Sequence, residues 1–254
     1  MFLPFLCMVL TTLKQPPEIY RLPMRWLPDN IFYFKNYIEV LIKRPFTRYL
    51  LNSFIVAGGC TGASLFISSL AGYAFAKFEF PAKEKIFFII LGAYMIPFEV
   101  LLIPLYLMFN SLGLVNTYIA LMGPGLISAF GVFLMRQFIE TIPNDYIDAA
   151  RLDGLSEFGI YLKVVLPLAK PALAILVIIK FLWSWNEFLW PLVVVRDVSM
   201  KTITLGLSDF ASRWYTEYTT SNTACFISII PILIVFFIFQ KYLIKGMTMT
   251  GLKG

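Results

Sequence analysis

Three ionisable side chains, Glu99, Lys180 and Glu187, interrupt stretches of sequence that are otherwise apolar. A charge in hydrocarbon costs roughly 2.5–3.5 kcal/mol on insertion scales, so each must face protein or water. The chemistry open to them is recognition of a polar solute along a pathway. The plainer alternative is an interhelical pair or a place near the membrane interface. Glu187 follows Lys180 by seven residues, on roughly the same helical face. Around Glu187 stand Trp183, Trp185, Asn186 and Trp190. Indole faces stack on the apolar CH face of a sugar, while amide and carboxylate groups bond its hydroxyls. Trp183 and Glu187 are i,i+4 neighbours, as are Asn186 and Trp190. The same residues also suit an aromatic belt, and spacing leaves both readings open.

Other chemistry is excluded by residues the chain lacks. It has no histidine, the commonest general acid–base and metal-ligand side chain. Cys7, Cys60 and Cys225 are isolated in apolar stretches and read as buried thiols, with no metal-ligand spacing. No P-loop occurs, since Gly58-Gly59-Cys60-Thr61-Gly62 lacks its lysine, so energy for any transport must come from a partner. No HExxH or GxSxG pattern points to hydrolysis. The chain reads as a non-enzyme that binds no metal and no cofactor of its own.

The elements that must position these residues follow from composition. Of 254 residues, 59% are hydrophobic and 14% charged, with mean hydropathy +0.78. Soluble domains are about 25% charged, so this chain has too few polar side chains to cover a water-facing globule. The excess of 21 Lys and Arg over 15 Asp and Glu suits loops beside anionic lipid. No run of like charge reads as a nucleic-acid arm. A spanning helix needs about 20 mostly apolar residues. Five runs meet that need: 49–76, 86–109, 115–135, 171–195 and 218–240. Residues 1–13 are apolar but too short to cross and lack a signal peptide's basic start and cleavage site. They read as the second half of a first span, giving an all-α integral membrane fold of six transmembrane helices in a single domain over 1–254. Basic residues divide evenly between the two sets of loops, so the positive-inside rule gives no orientation. Pro97 and Pro104 are predicted to bend the third span and Pro124 the fourth. Gly58 and Gly62 predict close helix packing.

The connection at about 136–170 is long and charged. Its run from Ile142 to Gly154 predicts a short helix capped by Asn144, with Asp145 and Asp148 near its positive end. Gly154 supplies a terminal turn with positive φ, and a second helix begins near Leu155. Tyr146 and Ala150 share one face, with Ile147 beside them. Ala149 and Ala150 are small enough for another backbone to approach. The result is either a knob for a soluble partner or an ordinary interfacial helix.

The order Asp148-Ala149-Ala150, three residues, Gly154, nine residues, Val164-Val165-Leu166-Pro167 resembles the EAA loop of ABC importer permeases. Asp148 stands where that family most often has Glu. Asn52-Ser53, the stretch Ala71 to Lys77 with Phe80-Pro81, Trp183 to Phe188, and the Lys253-Gly254 ending are similar to the carbohydrate-type, maltose-permease-G-like branch. The tail differs at Met249 and Thr250, where that branch has small residues. The resemblance implies a type I ABC importer permease fold in a bacterial or archaeal inner membrane, with a cytoplasmic C-terminus. It implies an ATP-driven, binding-protein-dependent importer of a carbohydrate, polyol or glycerol-phosphate-type solute. Tyr146, Asp148, Ala149, Ala150, Gly154 and Pro167 would then couple the chain to an ATPase. The implied partners are a homologous second permease, two ATPase subunits carrying ATP and Mg²⁺, and an extracytoplasmic solute-binding protein that faces the loop at 196–217. Trp183, Trp185, Asn186, Glu187, Trp190 and Glu99 are the candidates for the solute pathway. The rival reading is a secondary transporter or channel, which would need ion-coupling groups in broken helices.

Overall fold

A computed structural model describes residues 3–23, 25–211 and 218–250, without the side chains of 211 and 243–250. Trp214, Tyr215 and the Lys253-Gly254 ending lie outside the described residues, and Met249 and Thr250 enter as backbone only. Every regular element among the described residues is helical.

The first helix, α1 (Leu3–Thr12), has 10 residues, about 15 Å of rise, which is too short to cross a bilayer. It packs beside the last helix, where Phe5 meets Phe226 at 6.4 Å. The longest uninterrupted apolar stretch forms α2 (Phe46–Lys77), 32 residues without a proline. Its small polar residues Asn52, Ser53, Ser64, Ser68 and Ser69 all point into protein. Ser69 satisfies its hydroxyl on Leu65 O at 2.6 Å, the usual solution for serine inside a helix.

The third span is broken, not gently bent. Helices α3 (Lys83–Tyr94) and α4 (Phe98–Ser111) meet at 94°. Pro97 lacks an N–H and bars Ile96 from helical backbone, so the turn falls there. Pro104 stays inside α4 without ending it. The fourth span divides into α5 (Tyr118–Met122), a tight turn Gly123–Gly125 around Pro124, and α6 (Ala129–Glu140), with a 45° bend. Ser128 restarts the helix by accepting the Gly131 N–H at 3.0 Å.

The connection holds α7 (Asn144–Leu152) and α8 (Glu157–Ile160), which runs on through a wide turn at Tyr161–Val165. The chain then bends by 79° into α9 (Lys170–Asn186). Apolarity predicts a fifth span unbroken to 195, but the helix stops at Asn186. Glu187 leaves helical geometry (ψ 124°), and its Oε1 accepts the Trp190 N–H at 3.1 Å. The side chain thereby caps α10 (Leu189–Val194), whose Pro191 sits in the first turn, where no donor is needed. Helices α11 (Ile203–Ala211) and α12 (Tyr218–Thr250) are the last elements among the described residues. By length and apolarity α2 and residues 218–242 can each cross a membrane, and the three bent pairs reach that length only jointly.

Helices α2 and α6 pack closely along their length. A Cβ on Gly72 would lie 2.5 Å from Met135 Cβ and 2.9 Å from Arg136 N, so only glycine allows that approach. The predicted close packing at Gly58 and Gly62 is not found within the chain. A Cβ at either would meet nothing within 4 Å, because these glycines face away from the core.

Candidate functional site

Two constructions occupy the sequence-predicted positions. The first is the corner formed by α7 and α8. Asn144 does not cap α7, because Pro143 holds the extended cap position (φ −58°, ψ 139°) and Asn144 is the first helical residue. Its Oδ1 instead accepts from Lys77 Nζ at 2.8 Å, and the same ammonium donates to Ile142 O. The α7 turn ends as expected on Gly154, at φ +82°, with the Leu155 N–H returning to Ala150 O at 3.1 Å. Ser156 caps α8 by accepting the Gly159 N–H at 3.2 Å.

The two alanines part company here. Ala150 is buried with Ile147 against Met135, Ile139, Ile160 and Tyr161, whereas Ala149 is exposed. Tyr146 (57% exposed), Leu152 (89%) and Phe158 (54%) put large apolar surface outward beside Ala149 and Asp148. Pro167 is exposed just before the bend into α9. Behind this face runs a polar chain. Arg151 donates to Asp148 Oδ1 at 3.1 Å and to Glu157 Oε1 at 2.7 Å. Glu157 Oε2 accepts the Tyr73 hydroxyl of α2 at 3.0 Å. The hydrogen bond to Glu157 raises the Arg151 guanidinium further above its ordinary value, against a smaller opposing effect of burial. Tyr161 stacks on Tyr73 and shares a 2.7 Å hydroxyl contact with Ser69. The corner is therefore bound to α2 at Ser69, Tyr73 and Lys77.

The second construction is a cleft of about 250 Å³ between α2, α9 and the loops on one side of the bundle. Lys180, Trp183 and Ser184 of α9 line it, with Glu187, Trp190 and Pro191 beyond the helix end. Val56 and Cys60 of α2, Phe98, Pro124, Gly125 and Thr202 close the other sides. Of the predicted pathway residues, Trp183, Glu187 and Trp190 are thus brought together. Trp183 offers an open ring face, 46% exposed. Trp190 is buried between Phe98 and Phe109, with its Nε1 donating to Ala120 O at 2.8 Å. Trp185 lies elsewhere. It stacks on Phe181 at 5.4 Å and donates to Ser228 O of α12. Asn186 is exposed and donates back to Leu182 O, and Glu99 is exposed on the first turn of α4, where a carboxylate suits the helix dipole.

Sequence reasoning missed Cys60, Ser184 and Thr202. Thr202 reaches the cleft because Asn52 holds the preceding loop. Asn52 Nδ2 donates to Ser199 O and Lys201 O, both at 2.8 Å, and its Oδ1 accepts from Tyr118. Ser53 Oγ accepts the Ile203 N–H at 2.7 Å. The Asn52-Ser53 pair was the available signal, and its chemical role is this clamp.

Residues 64–249 match the family of binding-protein-dependent transport system inner membrane components, and the chain belongs to that family. It is 35% identical over 253 residues to the arabinooligosaccharides transport system permease protein AraQ of Bacillus subtilis (strain 168), covering 99% of this chain and 90% of that one. It is 33% identical to the sn-glycerol-3-phosphate transport system permease protein UgpE of Brucella abortus (strain 2308), covering 92% and 86%. Its fold is that of a chain in a bacterial ABC transporter involved in the import of the acidic polysaccharide alginate, with TM-score 0.84, 24% identity and coverage of 95% and 90%. The chain is accordingly a permease subunit of an ABC importer, an inner membrane component without a catalytic centre.

Proposed function

We propose that this chain forms half of the solute pathway of an importer for a carbohydrate, polyol or glycerol-phosphate-type solute, and that α7 is the element through which an ATPase drives it. The observation that carries this reading is the corner's division of labour. Tyr146, Leu152 and Phe158 are exposed and apolar, as a docking face requires, while Arg151, Glu157 and Tyr73 bind the same corner to α2. A push on α7 therefore reaches the membrane-spanning helix without slack. The relatives' names supply the solute class.

The coupling set is Tyr146, Asp148, Ala149, Ala150, Gly154 and Pro167, on the cytoplasmic side with the C-terminus. Ala150 acts by packing the corner together, the exposed members by contact. Two ATPase subunits, holding ATP and Mg²⁺, close and draw this corner towards that of a homologous second permease. The pathway then opens outward to receive solute from the binding protein, and hydrolysis restores the inward state. Trp183, Glu187 and Trp190 line this chain's share of the pathway.

Affinity purification in mild detergent, with mass spectrometry of the co-purifying chains, tests the assembly. A P-loop ATPase and a second permease are expected. A chain that stays alone and supports solute flux without ATP would overturn the reading.

A further inference from the structure

The cleft contains a lysine that makes no hydrogen bond or ion pair with the described residues. Lys180 is 8% exposed and stands ten residues along α9, about 15 Å from its start. Other well-buried cations of the chain have a partner: Arg136 bonds Glu84 at 2.6 Å and Glu140 at 3.0 Å, and Lys14 bonds Arg25 O at 2.6 Å. Among the described residues no hydrogen bond or ion pair falls to the Lys180 ammonium, and Glu187, in the same cleft, does not form an ion pair with it. The side chain is buried but its Nζ is not among the atoms sealed from solvent, so the ammonium is presented to the cleft, where an anion can replace its water.

A second unpartnered group differs in being sealed from solvent, so a ligand meets its hydroxyl only after a turn about χ1. Thr202 lines the cleft, is 4% exposed, and its Oγ1 has no hydrogen-bond partner. At the far end, Glu187 commits one carboxylate oxygen to the Trp190 N–H; the other is free to accept a hydroxyl. The two charged ends lie seven residues apart, on the order of 10 Å. Trp183 supplies an open ring face at the rim.

We infer that the cleft recognises an anionic group on the solute, a phosphate or carboxylate carried by a hydroxylated body, with Lys180 as the specificity-determining cation and Thr202 as its hydroxyl donor. This rests on the proposed reading of the cleft as solute pathway. A neutral sugar would leave the ammonium uncompensated. An anion pairs with Lys180 and Thr202 and directs its hydroxyls towards Glu187.

The test uses the chain purified with its co-purifying partners in lipid nanodiscs, titrated by tryptophan fluorescence. The probes are sn-glycerol 3-phosphate and D-galacturonate, each against its neutral counterpart, glycerol and D-galactose. One anion is expected to saturate at a concentration at least about tenfold below its neutral counterpart, as loss of a charged hydrogen bond predicts. Which anion does so separates phosphate from carboxylate. Lys180→Met should abolish that preference, Lys180→Arg should keep it, and Thr202→Val should weaken anion binding about threefold or more. Equal binding of anion and neutral counterpart, no response to either anion, or unaltered binding by Lys180→Met overturns the inference. So does loss of the second permease from the Lys180→Met complex, which would show the ammonium pairing with that subunit. If Lys180→Met does not elute as a folded complex, an unchanged Thr202→Val titration overturns it instead. Absence of an ATPase from the preparation refutes the importer assembly alone, since the titration still reads the cleft.

Discussion

The corner and the cleft lie at different levels of the same fold and treat polarity in opposite ways. At the corner, Asp148, Arg151, Glu157, Tyr73, Lys77 and Asn144 are all partnered, and the unsatisfied surface is apolar. In the cleft the apolar walls are well packed around Trp190, and the unpartnered groups are polar: the Thr202 hydroxyl, sealed from solvent, and the Lys180 ammonium, which keeps contact with it. Partnered polar groups fix geometry; unpartnered buried ones carry a penalty that a ligand can relieve. The contrast fits the roles proposed above, force transmission for one region and recognition for the other.

The largest effect should come from Gly154→Trp. A side chain at φ +82° adds strain of order 1–3 kcal/mol and re-aims α7. Solute uptake in cells should fall to background while the solute-binding protein keeps its affinity; normal uptake at normal expression would remove the corner from the mechanism. Asn52→Ala comes next. It deletes the clamp on Ser199 and Lys201 and the Tyr118 bond, and should lower stability by about 2–3 kcal/mol, read as a lower Tm in detergent. Its effect on the cleft should exceed its effect on ATPase docking, which separates the two regions directly. Arg151→Ala should barely move the Tm, because its bridges are half exposed and screened by water. It should nonetheless raise the ATP consumed per solute carried, and an unchanged ratio would show that the polar chain to Tyr73 transmits nothing. The smallest effect is expected for Asn186→Ala, an exposed side chain bonded only to its own helix, within about 0.5 kcal/mol and without change in uptake.

Much of the corner is legible in sequence because its signals are local. Gly154 announces a left-handed turn wherever it sits after a helical run, and the EAA-like spacing sets the distance from there to Pro167. Asn144 defeats a local reading because its cap role competes with Pro143 one residue earlier and with Lys77, whose approach only the tertiary fold determines. The spans are legible as runs of apolar residues, but their breaks are only partly so. Pro97 and Pro124 carry the chemistry of a bend, whereas nothing in the type of Glu187 says that it ends α9 by capping α10. Trp183 and Trp185 are close in sequence, yet two residues along a helix is about 200° of rotation, and they face different neighbours. Thr202 is invisible to local reasoning because its position depends on a hydrogen bond from Asn52, far upstream.

Helix α2 is held at both ends of its buried length. Near its start Asn52 and Ser53 grip residues 199–203, and near its finish Tyr73 and Lys77 grip the corner. Asn52 and Tyr73 are 21 positions apart, roughly 32 Å of proline-free helix. Such a rod behaves as a lever arm. A tilt of about 5° at one grip carries the other sideways by about 3 Å, close to the width of a hydrogen bond. In the proposed cycle a small displacement at α7 would thus be delivered to the loop that carries Thr202.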